Sequence, residues 1–196
     1  KNVSDLTYEE LLSLDFGSHF SPAYQGEKIC TLDEVLTLCK DRIDLNIELK
    51  TNISDTGLEA GVVALIESHD YAEHCVVAAK KLDSLKKIKS LDDSIQTIYL
   101  LPVAYGNYQN LSYIDGFSIK SSFITRKLVN HMHANGKAVY AWTVNEREDM
   151  ERMFSLGIDC LITDEPVRAK EVLYSQELNP SIAIWLEQLT HHFLSD

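Results

Sequence analysis

Apolar and polar residues alternate along residues 44–50, which read DLNIELK, with the period of two that is typical of a β-strand. Similar strand-like runs lie at 74–79, 96–102, 114–119, 137–144 and 159–163. Amphipathic stretches with helical spacing lie between most of these runs or follow the last one, at 57–70, 82–91, 125–135, 146–156 and 166–176. Strands that alternate with helices at this spacing predict a parallel sheet with crossover helices.

Two capping-box patterns precede this alternation. Thr7 with Glu10 predicts a short helix, and Thr31 with Glu34 predicts a second helix that runs to about residue 40. Loops are predicted at 15–28 and around 106–108, and one further helix at 179–195.

The polar face of the first strand favours a closed barrel over an open doubly wound sheet. Strands of an open parallel sheet are buried on both faces and apolar throughout. No glycine-rich phosphate loop of the GxGxxG or GxxxxGK type follows any strand. In a TIM barrel one strand face meets the helices, the other meets a filled interior, and active sites lie at the carboxyl ends of the strands. We therefore expect an α/β fold of TIM-barrel type, although only six strands are found where such a barrel has eight.

Glu48 and Lys50 lie two residues apart on the polar face of this strand. Inside a barrel, a carboxylate and an ammonium group are costly to keep unless they pair or bind something. An internal ion pair between them is the structural interpretation. In the functional interpretation, Glu48 is an oxygen ligand for a hard cation such as Mg²⁺ or Ca²⁺ and Lys50 offers positive charge to an anionic group such as a phosphate.

Residues 141–166 hold a second group of candidates. Taken alone, Trp142 is interpreted as a core residue, and the alternative is that it forms a pocket wall at the carboxyl end of its strand. Asn145 is interpreted as the cap of the helix that follows, which Gly157 ends. Asp164 is interpreted either as a site residue or as the cap of the last amphipathic helix.

Composition narrows the class of ligand. The 196 residues carry a formal net charge of −12, which argues against nucleic acid or an anionic membrane as a partner. An anionic substrate is still compatible with this charge if a metal ion lies between the two. No apolar run approaches the roughly 20 residues that span a bilayer, so a soluble domain is expected. The four cysteines are dispersed and indicate neither a zinc site nor a disulfide framework.

The motifs TLDEVL, NIELK and GKAVYAWTVNEREDMERMFSLGIDCLITDEP, in this order, resemble the glycerophosphodiester phosphodiesterase family. The similarity runs from about Ser4 to Leu173 and includes a small helical insertion at the N-terminus. The resemblance implies a TIM barrel that uses one divalent cation to hydrolyse glycerophosphodiesters to an alcohol and glycerol 3-phosphate. It also implies that Glu48 is a metal ligand, that Lys50 contacts the substrate phosphate and that Trp142 lines the pocket.

The chain also departs from the family's pattern. The family's first two strands carry a His-Arg-Gly stretch and a Glu-x-Asp followed by His-Asp, which supply the acid, the base and the other metal ligands. Apart from an isolated His-Asp at 69–70, none of these occurs here. We therefore expect these groups upstream of Lys1, six of eight strand-helix units in this chain, and little activity of the chain alone. Cys30 and Ala79-Lys80 also replace the family's usual proline and Ser-Phe. The histidines of the chain are interpreted as surface residues: His19, His69, His74, His131, His133, His191 and His192.

The resulting hypothesis divides the chain into a barrel portion, 1–176, and a helical tail, 177–196. A small glycerophosphodiester is the expected ligand, self-association through exposed sheet edges is an expected consequence, and the parent protein is expected to be either soluble or membrane-anchored. Two alternatives stay open. One is a pseudoenzyme or phosphoester-binding module, and the other is an unrelated α/β-barrel enzyme that acts on phosphorylated metabolites.

Overall fold

The computed structural model describes residues 2–50, 57–101 and 110–175. The chain forms two compact units, Lys1–Gln96 and Thr97–Asp196. The loop predicted around 106–108 and the helix predicted at 179–195 lie outside the described residues.

The described residues of the first unit form two parallel strands and four α-helices. The strands are β1 (Leu45–Leu49) and β2 (Cys75–Ala79), and the helices are α1 (Tyr8–Leu12), α2 (Leu32–Cys39), α3 (Leu58–Ser68) and α4 (Leu82–Leu91). Leu45 pairs with Cys75 and Leu49 with Ala79, so both strands end at one edge. Both predicted capping boxes are confirmed, since the Thr7 and Thr31 side chains accept from the backbone N–H of the Glu three residues on, and each Glu side chain accepts in return.

In the second unit, the part of the chain that the structure describes forms four parallel strands. These are β3 (Gln96–Leu101), β4 (Gly116–Lys120), β5 (Ala138–Trp142) and β6 (Cys160–Leu161). Helices α5 (Arg126–Ala134) and α6 (Arg147–Leu156) connect them, and a last helix, α7, occupies 166–175 of the described residues. The predicted alternation of parallel strands with crossover helices is confirmed, with most element ends one to three residues shorter than predicted.

The two faces of β1 and β5 differ in burial as the alternation predicts. Along β1, Leu49 is buried whereas Glu48 is exposed. On β5, Val139 and Ala141 are completely buried, whereas Tyr140 and the residues two positions away on either side are half-buried. On β1 and β5 one face therefore packs in the core and the other is less buried, whereas β4 is buried on both faces up to its last residue, Lys120.

A tightly bonded loop precedes α2 in the first unit. One carboxylate oxygen of Asp15 accepts from the backbone N–H groups of Gly17 and Ser18, both at 2.9 Å. The other accepts from the Ser18 hydroxyl at 2.6 Å and the Gly26 N–H at 3.1 Å. At Gly17 a Cβ would lie 1.9 Å from the carbonyl oxygen of Tyr24, so only glycine fits this close approach. The insertion predicted from the sequence is therefore held by one aspartate.

Acid should weaken this loop. Hydrogen bonds from Ser18, Gly17 and Gly26 hold the pKa of Asp15 well below its usual value. Because the folded-state pKa is lowered, the stabilisation is present above the unfolded-state pKa of about 4 and is lost as the pH falls below it. We expect the difference in unfolding free energy between wild type and Asp15→Asn, measured with urea, to be larger at pH 7 than at pH 3. An equal difference at both pH values would contradict this prediction.

Candidate functional site

Glu48 and Lys50 lie together at the carboxyl end of β1. The Lys50 Nζ is 3.9 Å from the Glu48 Oε2, and their side chains are 81% and 39% exposed, respectively. This differs from the expected burial inside a barrel, because the polar face of β1 is open in this chain. An exposed ion pair of this length contributes at most about 1 kcal/mol to stability. Mutual pairing therefore does not explain both charges, and both remain accessible to a ligand.

The described residues supply part of a metal site. Glu48 offers the carboxylate oxygens that Mg²⁺ and Ca²⁺ prefer. Among residues 2–50, 57–101 and 110–175, no group of three or more His, Cys, Asp or Glu side chains could hold a metal ion. Glu48 thus fits one ligand of a cation, and the described residues do not complete the coordination.

Trp142 is the last residue of β5. It is half-buried, but its indole Nε1 is fully buried and has no hydrogen-bond partner within residues 2–50, 57–101 and 110–175. The indole N–H can only donate, and an unsatisfied buried donor costs about 1–3 kcal/mol. This donor distinguishes Trp142 from a purely apolar core residue and favours the interpretation as a pocket wall.

The interpretation of Asn145 as a helix cap is wrong. Glu146 is the N-cap residue of α6. The Asn145 side chain instead donates from Nδ2 to the Asp164 carboxylate at 3.0 Å, and its Oδ1 accepts from the Thr163 hydroxyl at 3.0 Å and the Asp164 N–H at 2.9 Å. Its backbone carbonyl accepts from Arg168 at 2.6 Å. The residue therefore joins the segment after β5 to the segment after β6.

Asp164 is the hydrogen-bond partner of Asn145. Of its two predicted roles, the structure supports the position beside the carboxyl ends, because its carboxylate accepts from Asn145. Glu165 directly precedes α7, and its N–H donates to the Thr163 hydroxyl at 2.9 Å. The interpretation of Gly157 is confirmed, since it ends α6 with a φ of 77°.

Three histidines pair with aspartates. His69 lies 2.9 Å from Asp33, His74 lies 3.0 Å from Asp44, and His133 lies 2.9 Å from Asp159. Asp44 and His74 directly precede β1 and β2, and Asp159 directly precedes β6. The Asp44–His74 and His133–Asp159 pairs therefore lie at the amino ends of strands. Sequence reasoning missed all three pairings, because 26 to 36 residues separate the partners.

The exposure of the histidines agrees with the surface interpretation in most cases. His19, His74, His131 and His133 are exposed. The side chain of His69 is only 17% exposed, because its ring contacts α2 through Asp33. His191 and His192 lie outside the described residues. No described histidine is placed beside Glu48 and Lys50 by a hydrogen bond or an ion pair.

Cys75 and Cys160 do not act as nucleophiles in this arrangement. Burial, with the negative charges of Asp92 and Asp44, raises the pKa of the Cys75 thiol to about 11. Burial, with the charge of Asp159, also raises the pKa of Cys160. Both thiols are therefore protonated at neutral pH and pack as small apolar groups, as predicted.

Comparison with known proteins agrees with the family resemblance of the sequence motifs. The model of the glycerophosphoryl diester phosphodiesterase family matches residues 1–168. A glycerophosphodiester phosphodiesterase of Caldanaerobacter subterraneus is 31% identical over 169 residues, which cover 84% of this chain and 70% of that protein. One from Bacillus altitudinis is 31% identical over 178 residues, which cover 87% and 73%.

A solved structure supports the fold. The Oleispira antarctica phosphodiesterase in complex with the product sn-glycerol-3-phosphate has a TM-score of 0.76 at 24% identity, over 88% of this chain and 72% of that one. Structures of this kind are TIM-barrel-like, which confirms the predicted fold class, an incomplete barrel of TIM type.

Proposed function

Because the chain belongs to the glycerophosphoryl diester phosphodiesterase family, we propose that it serves the hydrolysis of a glycerophosphodiester to an alcohol and sn-glycerol 3-phosphate. The observation that carries this proposal is the accessible Glu48–Lys50 pair at the carboxyl end of β1. In TIM-barrel enzymes, chemistry takes place at this end of the strands. The Oleispira relative holds sn-glycerol 3-phosphate, which makes a small phosphorylated ligand the expected one.

Each candidate residue has a distinct role in this proposal. Glu48 would hold a divalent cation, on which the family generally depends. When bound, such a cation neutralises phosphate charge and stabilises the charge that develops during hydrolysis. Lys50 would place its ammonium group against a phosphate oxygen. In the second unit, Trp142 would form a wall that positions the glycerol part, the role that the resemblance to the family implies.

The general acid and the general base of the hydrolysis are not among the residues assigned above. Hydrolysis needs a proton donor for the leaving alcohol and a proton acceptor for the attacking water, and each such group typically contributes about 10²–10⁴-fold to the rate. The histidine–aspartate pairs next to β1, β2 and β6 lie at the amino ends of those strands, so the Asp44–His74 pair lies at the opposite end of β1 from Glu48. We therefore propose that the acid and base lie outside the described residues and that this chain alone hydrolyses its substrate slowly.

We also propose a division of the chain into a barrel portion, 1–176, and a tail, 177–196, and an association of this portion with a second copy. Within the described residues of the first unit, β1 pairs with β2 on one edge and with no strand on the other. An unpaired strand edge is a template for pairing with another chain, which supports self-association. In the described part of the chain, every helix is too short or too polar to cross a membrane.

Metal-dependent release of sn-glycerol 3-phosphate from a glycerophosphodiester tests the proposed function. The assay compares this chain with the longest polypeptide that its gene encodes, each after chelation and after addition of Mg²⁺ or Ca²⁺. We expect activity in the longer polypeptide, its loss on chelation, and its return with one of the two cations. Activity in neither polypeptide would favour a pseudoenzyme or binding module, and full activity of the 196-residue chain would contradict the placement of the acid and base.

A further inference from the structure

Two fully buried polar atoms of the second unit have no hydrogen-bond partner among the described residues. These are the Ser118 hydroxyl oxygen and the Trp142 indole nitrogen. Ser118 itself is 0% exposed. A buried donor without a partner is unfavourable, and such groups in native proteins call for a specific explanation. One such explanation is a ligand that supplies acceptor oxygens to these groups.

Strand register places both atoms on the same side of the sheet. On β4 and β5, Ser118 pairs with Tyr140, and Lys120 pairs with Trp142. Because side chains alternate along a strand, Ser118, Lys120 and Trp142 face the side opposite to the completely buried Phe117 and Ile119. Paired residues lie about 4.8 Å apart and residues two positions along a strand about 6.6 Å apart, so the three side chains are neighbours.

Lys120 adds a charge to this group. It is the last residue of β4 and is exposed. Its ammonium group makes no hydrogen bond or ion pair with any described residue, in contrast to Lys50. The cluster therefore combines one accessible cation at the carboxyl end with two neutral, buried hydrogen-bonding groups beside and below it. All three groups can donate hydrogen bonds, and one of them is positively charged. Such a set of donors favours an anionic ligand that also carries hydroxyl groups.

We infer that Lys120, Trp142 and Ser118 form a second phosphoester-binding group on β4 and β5, in which Lys120 donates to a phosphate oxygen. This inference rests on the proposed function and adds Lys120 and Ser118 as substrate-binding residues. Phosphorylated glycerol suits the group because its phosphate oxygens can accept from Lys120, and its glycerol hydroxyls can pair with the Trp142 indole N–H and the Ser118 hydroxyl. The role is binding, and no bond is made or broken by these residues.

The indole N–H resonance of Trp142 allows a direct test in this chain. Nitrogen-15 spectra resolve indole signals individually, and Trp142→Phe assigns this one against Trp185, the only other tryptophan. Wild type, Lys120→Gln and Lys127→Gln are titrated with sn-glycerol 3-phosphate. Lys127 is exposed on α5, so its replacement removes the same charge away from the cluster. Unligated spectra and urea unfolding verify that each variant is folded.

We expect the Trp142 signal of wild type to shift saturably with sn-glycerol 3-phosphate. Lys120→Gln should weaken binding roughly tenfold or more, as expected for loss of a charge-assisted hydrogen bond, and Lys127→Gln should change it by less than about twofold. Equal affinity of Lys120→Gln and wild type would overturn the inference, and so would a wild-type signal that does not move. Binding that needs Lys120, without hydrolysis in the longest polypeptide, would support the inference while the proposed function fails.

Discussion

Replacing Glu48 by glutamine should lower the kcat/KM of the active polypeptide at least about 100-fold. The substitution keeps the size of the side chain and removes the charge through which Glu48 would hold a divalent cation. Loss of one group that stabilises transition-state charge typically costs about 10²–10³-fold. The measurement is the rate of glycerol 3-phosphate release as a function of Mg²⁺ and Ca²⁺ concentration. If Glu48 acts through the metal, the variant should also need more metal for half-maximal rate.

A matched control separates this role from a general loss of negative charge. Glu73 is exposed and lies just before β2, at the amino end of the strand. Glu73→Gln should leave kcat/KM within about twofold of wild type. Both variants should retain wild-type stability within about 1 kcal/mol, because the ion pair of Glu48 with Lys50 is exposed. Equal activity of Glu48→Gln and Glu73→Gln would rule out the metal-ligand assignment.

Replacing Asn145 by aspartate should destabilise the second unit by about 1–3 kcal/mol at pH 7. The Asn145 Nδ2 donates to the Asp164 carboxylate at 3.0 Å, and the substitution would put two carboxylates at this distance. Such a pair raises one folded-state pKa above the unfolded value of about 3.9. Protonation then favours the folded state, so the variant should regain stability relative to wild type as the pH falls towards about 4.

A reciprocal exchange provides the control. Combining Asn145→Asp with Asp164→Asn restores one amide donor and one carboxylate acceptor, and the backbone N–H of residue 164 still has its acceptor. The double variant should recover at least half of the lost unfolding free energy in urea titrations at pH 7. If the losses of the two single variants simply add in the double variant, the hydrogen bond is not the source of the effect.

Sequence patterns predicted the elements of this protein because secondary structure follows local periodicity. The period of two in 44–50 and the helical spacing of 82–91 each describe contacts between near neighbours, and β1 and α4 lie at these positions. Thr7 and Thr31 predicted their caps for the same reason, since each bond spans three residues. The family motifs around Glu48 and Trp142 also lie within single segments, which made the candidate residues visible without a structure.

The sequence by itself determined the fold class, the strand-helix order and the family. Only the tertiary structure decided that Asn145 binds Asp164 rather than capping α6, that histidines pair with aspartates, and that Ser118 is buried with no partner in the described part of the chain. These contacts join residues that are 19 or more positions apart or depend on how adjacent strands align. Local sequence propensity does not predict these long-range contacts. Packing and the need to satisfy buried polar groups determine which residues become partners.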